Sequence, residues 1–290
     1  MSDQITTAFV QQYTTNVALL LQQRGSKLRP YVMVDSYMGK AAKIVEQIGQ
    51  VAAQQRVSRH ADTPLVNTPH DARWEFPLDW EVADLIDDQD RLRMIINPDS
   101  AYAINQAMAI GRAWDDEIIT RALGNAKTGE NGTTTTAFDT SNQQIAASSA
   151  GLTVAKLREA KKILMGNEVD IDFDPLYCIV TAKQIDDLLN TTEVGSFDYN
   201  SVKALVMGDV DTFMGFRFIH CERLGVDGSS NRRVIAYAKS GLHLGIWKDV
   251  SSRMSERDDK SYATQVYTCS TFGATRTEEG KVVEILCSES

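Results

Sequence analysis

Residues 97–124 read NPDSAYAINQAMAIGRAWDDEIITRALG, and the length of this one helical stretch decides the fold class. Asn97 is a good N-cap residue, and Pro98 stands at the first helical position, where its missing N–H costs nothing. Gly124 stands where a helix C-cap glycine does. Between them Ile104, Ala107, Gly111, Trp114 and Ile118 recur at three and four residues and define one apolar stripe. Arg112/Asp116 and Glu117/Arg121 are spaced i,i+4, so ion pairs are expected on the helix surface. At 1.5 Å per residue a helix over 99–124 is roughly 39 Å long, more than twice the usual globular length. An ordinary core helix explains the stripe but not the length. A spine carrying other layers explains both.

Outward from the spine, composition sets the class. The chain has 290 residues, 43% hydrophobic and 24% charged, enough for one large or two ordinary domains with a sizeable core. A net charge of −9 and a pI near 5.0 argue against an electrostatic grip on nucleic acid. The opening segment MSDQITTAFVQQYTTNVALLLQQRG has no charged leader region, and Asn and Gln interrupt its apolar run, so neither a signal peptide nor a membrane span is expected. Cys178, Cys221, Cys269 and Cys287 show no metal-ligand spacing and read as buried thiols of a protein assembled in a reducing cytoplasm.

Before the spine, Phe9, Tyr13, Val17, Leu20 and Leu21 predict an amphipathic helix over 4–24, followed by a loose stretch over 26–39, together an arm. From Lys40 to Asp88 the pattern turns to strand. Trp74, Phe76, Leu78, Trp80 and Val82 alternate with polar residues and Pro77, and Pro77 marks an edge strand. The turn-rich HADTPLVNTPHD makes the tip of a two-stranded ribbon. A solitary ribbon is marginal in water and must lie on something, either its own chain or a second copy. Arg56, Arg59, His60, His70 and Arg73 gather near its tip, and Glu81, Asp84, Asp87, Asp88 and Asp90 near its base. Docking of a basic tip on an acidic region of another copy follows as an expectation.

After the spine, the Gly-, Thr- and Ser-rich stretch from Asn125 to Gly151 reads as a flexible connection. NAKTGENGT lacks the spacing of a phosphate loop. From Leu152 the rhythm is mixed α/β. Thr153 caps one helix, LYCIV is a buried strand, Thr181 caps a second helix, and Asn200 opens a third. FRFIH and RRVIAYA are strands joined by a hairpin-like LGVDGSSN. The closing segments LHLGIWKDVSSRM, SYATQVYTCSTFGATR and KVVEILC are strand-rich and return to the spine layer.

The residues assemble no catalytic site. His220 and Cys221 are neighbours on a strand and point to opposite faces, which prevents a nucleophile–base pair. Asp170, Asp172 and Asp174 lack the glycine and glutamate of a calcium loop. His60 and His70 have no third ligand in view. No cofactor and no metal are expected.

The order of elements resembles the major capsid protein of tailed bacteriophages, the Hong Kong 97-like capsid fold, over nearly the whole length. DDEIITRALGNAKTG at the spine end carries the resemblance, as do MGFRFIHCERLGVDGSSNRRVIAYAKSGLHLGIWKDV and SYATQVYTCSTFGATRTEEGKVVEIL. It implies an α+β fold with an N-terminal arm (1–39), an extended β-hairpin or E-loop (40–88), a peripheral P-domain (89–150 and 246–290, spine helix 98–123) and an α/β axial A-domain (151–245). It implies a non-enzymatic shell protein that packs as hexamers and pentamers around double-stranded DNA, in the virion, assembled in the host cytoplasm. Scaffolding, portal and cementing proteins would be its further partners. Arg56, Arg59, Arg73, Trp74, Phe76, Leu78 and Trp80 are the expected inter-subunit contacts. An encapsulin-type nanocompartment shares the fold, and a soluble α/β enzyme with an unrecognised site is the alternative of another class.

Gly111 lies on the apolar stripe, so Gly111→Leu is expected to overpack it and cost about 1–3 kcal/mol. A lowered urea midpoint would show this, and an unchanged one would remove Gly111 from the buried face.

Overall fold

The structure, a computed structural model, describes residues 22–56, 58, 59, 62, 65–86, 99–190 and 212–289. The helix expected over 4–24, the cap at Asn97, the third short helix from Asn200, and His60, Asp87, Asp88 and Asp90 all fall at least in part outside these. The described residues form two compact units. One draws on 79–112 and 250–270, the other on 26–78, 113–249 and 271–290.

The spine is α1, Asp99–Ala122, within two residues of its expected ends. Residues 99–112 belong to the first unit and 113–122 to the second. The buried positions are Gln106, Ile110, Gly111, Trp114, Asp115, Glu117, Ile118 and Ala122, whereas Ile104 is 49% exposed. The expected stripe therefore holds at Gly111, Trp114 and Ile118 and fails at Ile104. In the first unit Gln106 is buried instead. Its amide donates to Val266 O at 3.1 Å and accepts from Thr268 Oγ1 at 2.9 Å, which satisfies the polar group the burial costs. Of the two expected ion pairs, Glu117–Arg121 forms at 2.7 Å. Arg112 donates instead to Gln22 Oε1 and Gln23 O.

The second unit is built on a six-stranded sheet in the order β7-β14-β11-β8-β10-β9. These strands are Gln144–Ile145 (β7), Leu176–Val180 (β8), Thr212–Phe213 (β9), Phe216–His220 (β10), Arg232–Ala238 (β11) and Val282–Cys287 (β14). β8 is buried at every position, an unbroken apolar run of the kind central strands carry. It pairs parallel with β10 and antiparallel with β11. LGVDGSSN is thus no hairpin between neighbours, because β8 lies between the two strands it joins. Helices α2 (Val154–Gly166) and α3 (Ala182–Leu189) start as expected. The Thr153 hydroxyl accepts from Lys156 N, and Thr181 forms a capping box with Gln184. KVVEILC does not return to the spine layer. As β14 it lies between β7 and β11.

Three expectations about loops change. Residues 26–36 are not a loose stretch. Leu28 and Val32 are buried, and Met33–Ser36 (β1) pairs parallel with His243–Ile246 of β12 (Leu242–Arg257). The buried Asp115 carboxylate fixes the entry to this segment, accepting from Ser26 Oγ at 2.5 Å, Lys27 N at 2.9 Å and Leu28 N at 3.1 Å. The Gly/Thr-rich connection holds the hairpin Ala126–Thr128 (β5) and Thr134–Thr136 (β6), with Ala126, Thr128 and Phe138 buried. The ribbon of Ala42–Ile48 (β2) and His70–Glu75 (β3) then has an intrachain neighbour, because Arg73 and Trp74 of β3 pair with Thr128 and Lys127 of β5. β2 ends at Ile48 and does not run on into VAAQQRVSR.

The long alternating strand at Trp74–Val82 is two strands. β3 ends at Glu75 and Leu78–Ile86 (β4) begins after Pro77, in a sheet ordered β1-β12-β13-β4, with β13 at Ala263–Arg276. Pro77 has no N–H to give a ladder and restricts Phe76 before it, so it divides the strand where an edge had been expected.

The C-terminal end of α1 is closed by a buried cation. Arg276 is fully buried, and its Nη1 donates to Ala122 O at 2.8 Å and Gly124 O at 2.9 Å. A positive charge at this end also meets the negative pole of the helix dipole. Burial lowers its pKa and the Glu279 carboxylate opposes that shift. Arg276→Met is expected to leave both carbonyls unpaired and to cost about 2–4 kcal/mol. Urea unfolding at unchanged m-value would measure it, and a loss below 1 kcal/mol (roughly the neutral hydrogen-bond scale) would refute the cap.

Candidate assembly surface

On β3 the burial is the reverse of what the alternation suggests. Arg73 is 4% exposed and Glu75 is buried beside it, while Phe76 after the strand is 40% exposed. The polar residues face inward because each has a partner there. Arg73 Nη2 pairs with Glu279, and Glu75 accepts from Gly245 N at 2.9 Å and lies 2.9 Å from His243 Nδ1. Arg73 is therefore no tip cation. It is a buried charge paired within its own chain.

Trp74, Phe76 and Leu78 keep their candidacy. Trp74 is half-buried, its Nε1 donating to Gly129 O at 2.7 Å. The β5–β6 turn passes close beneath it. A Cβ at Gly132 would come within 2.8 Å of Trp74 Cγ and 3.2 Å of Phe76 Cζ, and φ there is +66°, so only glycine permits the approach. These three side chains line a cavity of about 180 Å³ together with Glu75, Glu117, Arg121 and Lys127. Apolar and charged groups mixed in this way are compatible with a protein–protein contact. In the first unit Trp80 is 38% exposed on β4.

At the ribbon's far end Arg56 and Arg59 are both exposed. Arg56 Nε donates to Ser58 O at 2.9 Å and its Nη2 to Arg59 O, which folds the guanidinium back on the local backbone.

The remaining candidates assemble no chemistry. His220 Nε2 lies 2.6 Å from Glu222, on the exposed side of β10, while Cys221 is buried and its pKa is raised by that burial. Cys178 and Cys287 are likewise buried, and burial pushes both thiols well above their ordinary pKa, Cys287 to about 12, so neither is a thiolate nucleophile. Asp170 closes a turn by accepting from Asp172 N, and Asp174 accepts from Ser240. Among the described residues no cluster of His, Cys, Asp or Glu could hold a metal ion, and no helix is long and apolar enough to cross a membrane.

A family model described as phage capsid protein matches residues 5–289. The chain belongs to the phage capsid protein family. Solved capsids share the fold of this capsid protein at low identity. The capsid of cyanophage P-SCSP1u superposes with a TM-score of 0.74 at 13% identity, covering 99% of this chain and 95% of that one. The capsid of Ralstonia phage GP4 gives 0.75 at 9%, covering 98% and 96%. The capsid of a native GTA particle gives 0.73 at 10%, covering 97% and 96%. No curated protein matches the chain. The α+β, Hong Kong 97-like architecture expected from the order of elements is the fold of these capsids. The family and the fold give the chain a structural role in a capsid.

Sequence reading of this capsid protein missed the β5–β6 hairpin that seats Trp74. Two glycines bracketing a turn, Gly129 and Gly132, were the available signal. The separate roles of the arginines can be tested on isolated subunits. Arg73→Met is expected to destabilise by about 2–4 kcal/mol, whereas Arg56→Ser changes stability by less than about 0.5 kcal/mol. Equal effects in thermal unfolding would contradict the division between buried and exposed cations.

Proposed function

We propose that this chain is the major capsid protein of a tailed phage, self-assembling as hexamers and pentamers into an icosahedral shell that encloses double-stranded DNA in the virion. Assembly takes place in the host cytoplasm, with scaffolding, portal and cementing proteins as further partners. The observation that carries this reading is the inverted base of the ribbon. Arg73 and Glu75 turn inward to partners in the same chain, and Trp74, Phe76 and Leu78 are left on an incompletely covered face. A second copy laid on that face would bury it, at about 25 cal/mol per Å² of apolar surface removed from water. Arg56 and Arg59 at the tip, and Trp80, would complete the contact. The net charge of −9 suits a wall that holds DNA without adhering to it.

In domain terms we assign residues 1–25 to the N-terminal arm, 40–88 to the E-loop, and 89–125 with β13 and β12 from residue 246 onward to the P-domain. β14 is assigned with 151–245 to the A-domain, because its ladder partners lie there.

The test is assembly of the purified chain, followed by sedimentation and electron microscopy. Rings or megadalton shells are expected from the native sequence. Phe76→Asp, or replacement of residues 51–66 by a short Gly/Ser turn, is expected to give folded subunits that form neither. Closed shells from either variant would dismiss the proposed contact, and a native chain that stays monomeric at all concentrations would dismiss the shell.

A further inference from the structure

Deep in the second unit, three strands from distant parts of the sequence meet on one imidazole. His243 of β12 is buried. Its Nδ1 lies 2.9 Å from Glu75 Oε2 at the end of β3, and its Nε2 lies 3.1 Å from Asp35 Oδ2 on β1. Tyr37 OH lies 3.3 Å from the same Nε2, and its ring packs 5.7 Å from the imidazole. Carboxylates only accept, so satisfying both contacts requires an N–H on each ring nitrogen. A neutral imidazole has one. Only an imidazolium satisfies two ionised carboxylates at once.

The two carboxylates are held differently. The Glu75 side chain is 1% exposed and the Asp35 side chain 66%. Glu75 also accepts from Gly245 N at 2.9 Å, and Gly245 and Gly273 carry no side chain that would crowd it: a Cβ at either would come within 2.6 Å of it or its neighbour Phe76 O. Among the described residues, Glu75 and Asp35 are the charges that act on the ring. Arg276 of β13 is turned to Ala122 and Gly124, and across the cavity wall beyond Glu75 the α1 pair Glu117–Arg121 and Lys127 of β5 are the charged groups present.

We propose that Glu75, His243 and Asp35 form a proton-operated latch that fastens the base of the ribbon and the edge strand β1 to β12. It is closed while the imidazole carries both protons and opens at Asp35 when it loses one. Loss of the proton leaves Glu75 with the remaining N–H, since its burial makes an unpaired carboxylate costly there. The freed Nε2 lone pair then accepts from the Tyr37 hydroxyl, which gives up its hydrogen bond to Asp35, and Asp35, already facing water, is released. The latch thus loosens β1 first and keeps β3 seated.

The sign follows from the charges. Burial alone would lower the His243 pKa, but the hydrogen bonds and charges of Glu75 and then Asp35 outweigh it and raise it above its ordinary value. Burial, reinforced by the charges of Asp35 and Glu75, pushes Tyr37 up to about 12, so it stays a neutral donor throughout. A raised folded-state pKa means the stabilisation is complete below the unfolded value of about 6.5 and is lost as pH rises through the folded value.

The test is a pH titration of the full chain, following the four histidine ring signals by NMR and assigning one by its absence in His243→Gln. The His243 midpoint is expected above that of a free imidazole, and Asp35→Asn, at an exposed position that folding tolerates, is expected to lower it. Protection of the Met33–Ser36 amides should fall through the same midpoint, relative to His243→Gln at each pH. A native midpoint at or below the free value, a midpoint unmoved by Asp35→Asn, or β1 protection that does not follow the titration would each overturn the latch.

Discussion

The fold depends on closing the C-terminal end of one overlong helix inside a core. The last carbonyls of α1 have no partner within the helix. Ala122 is buried, so water does not supply one. Arg276 does, from a strand more than a hundred and fifty residues later in the chain. A guanidinium is the group for this position because it remains charged when desolvated and presents several donors in a fixed fork. Its face lies over the Phe138 ring at 5.3 Å, and Glu279 balances its charge while also pairing with Arg73. The end of the spine, the 125–150 connection and the base of the ribbon are thereby tied to one small ionic cluster.

The same device recurs wherever segments distant in sequence must meet. Asp115 holds residues 26–28 against α1. The Lys156 ammonium lies within hydrogen-bond distance of the Ala147, Ala150, Gly151 and Leu286 carbonyls and shares its three N–H groups among them, joining α2 to β14. Glu284 of β14 accepts from Gln144 and pairs with Arg233, joining three neighbouring strands. Buried ionic groups are poor evidence for net stability, but leaving one unpaired is expensive. They therefore penalise misregistered pairings heavily, which matters in a chain where β1, β12 and β14 all take partners far from their own place in the sequence.

This explains what could be read from the residues alone. Local signals were legible: the spine within two residues, the caps at Thr153 and Thr181, the unbroken apolar run of β8. Whatever depended on a distant partner was not. Ile104 looked like core, but which side of α1 faces inward is set by Gln106 meeting Val266 and Thr268. The alternation at Trp74–Val82 was real, yet period two gives no information on which face is inside, and Pro77 cut it in two. Residues 26–36 showed no period because their order comes from Asp115 and from the β12 backbone. Of the assembly surface, the aromatic residues were visible in sequence, but Arg73 was not separable from Arg56, because burial is a property of the partner and not of the arginine.

The inverted ribbon base follows from this polar interior. A strand with one apolar and one polar face ordinarily turns the apolar face in, because burying Phe and Trp is favourable and burying Arg and Glu is not. Here Glu279, His243 and Gly245 reverse the second term by supplying partners, so the polar face can be the inner one. The aromatic face is then outward by geometry, since successive side chains on a strand point opposite ways. Removing the inner partners would favour the opposite orientation and would hide the aromatics. The outward orientation of the aromatics is thus maintained by the ionic core beneath them, and the charged residues that look least suited to a protein interior determine what the exterior presents.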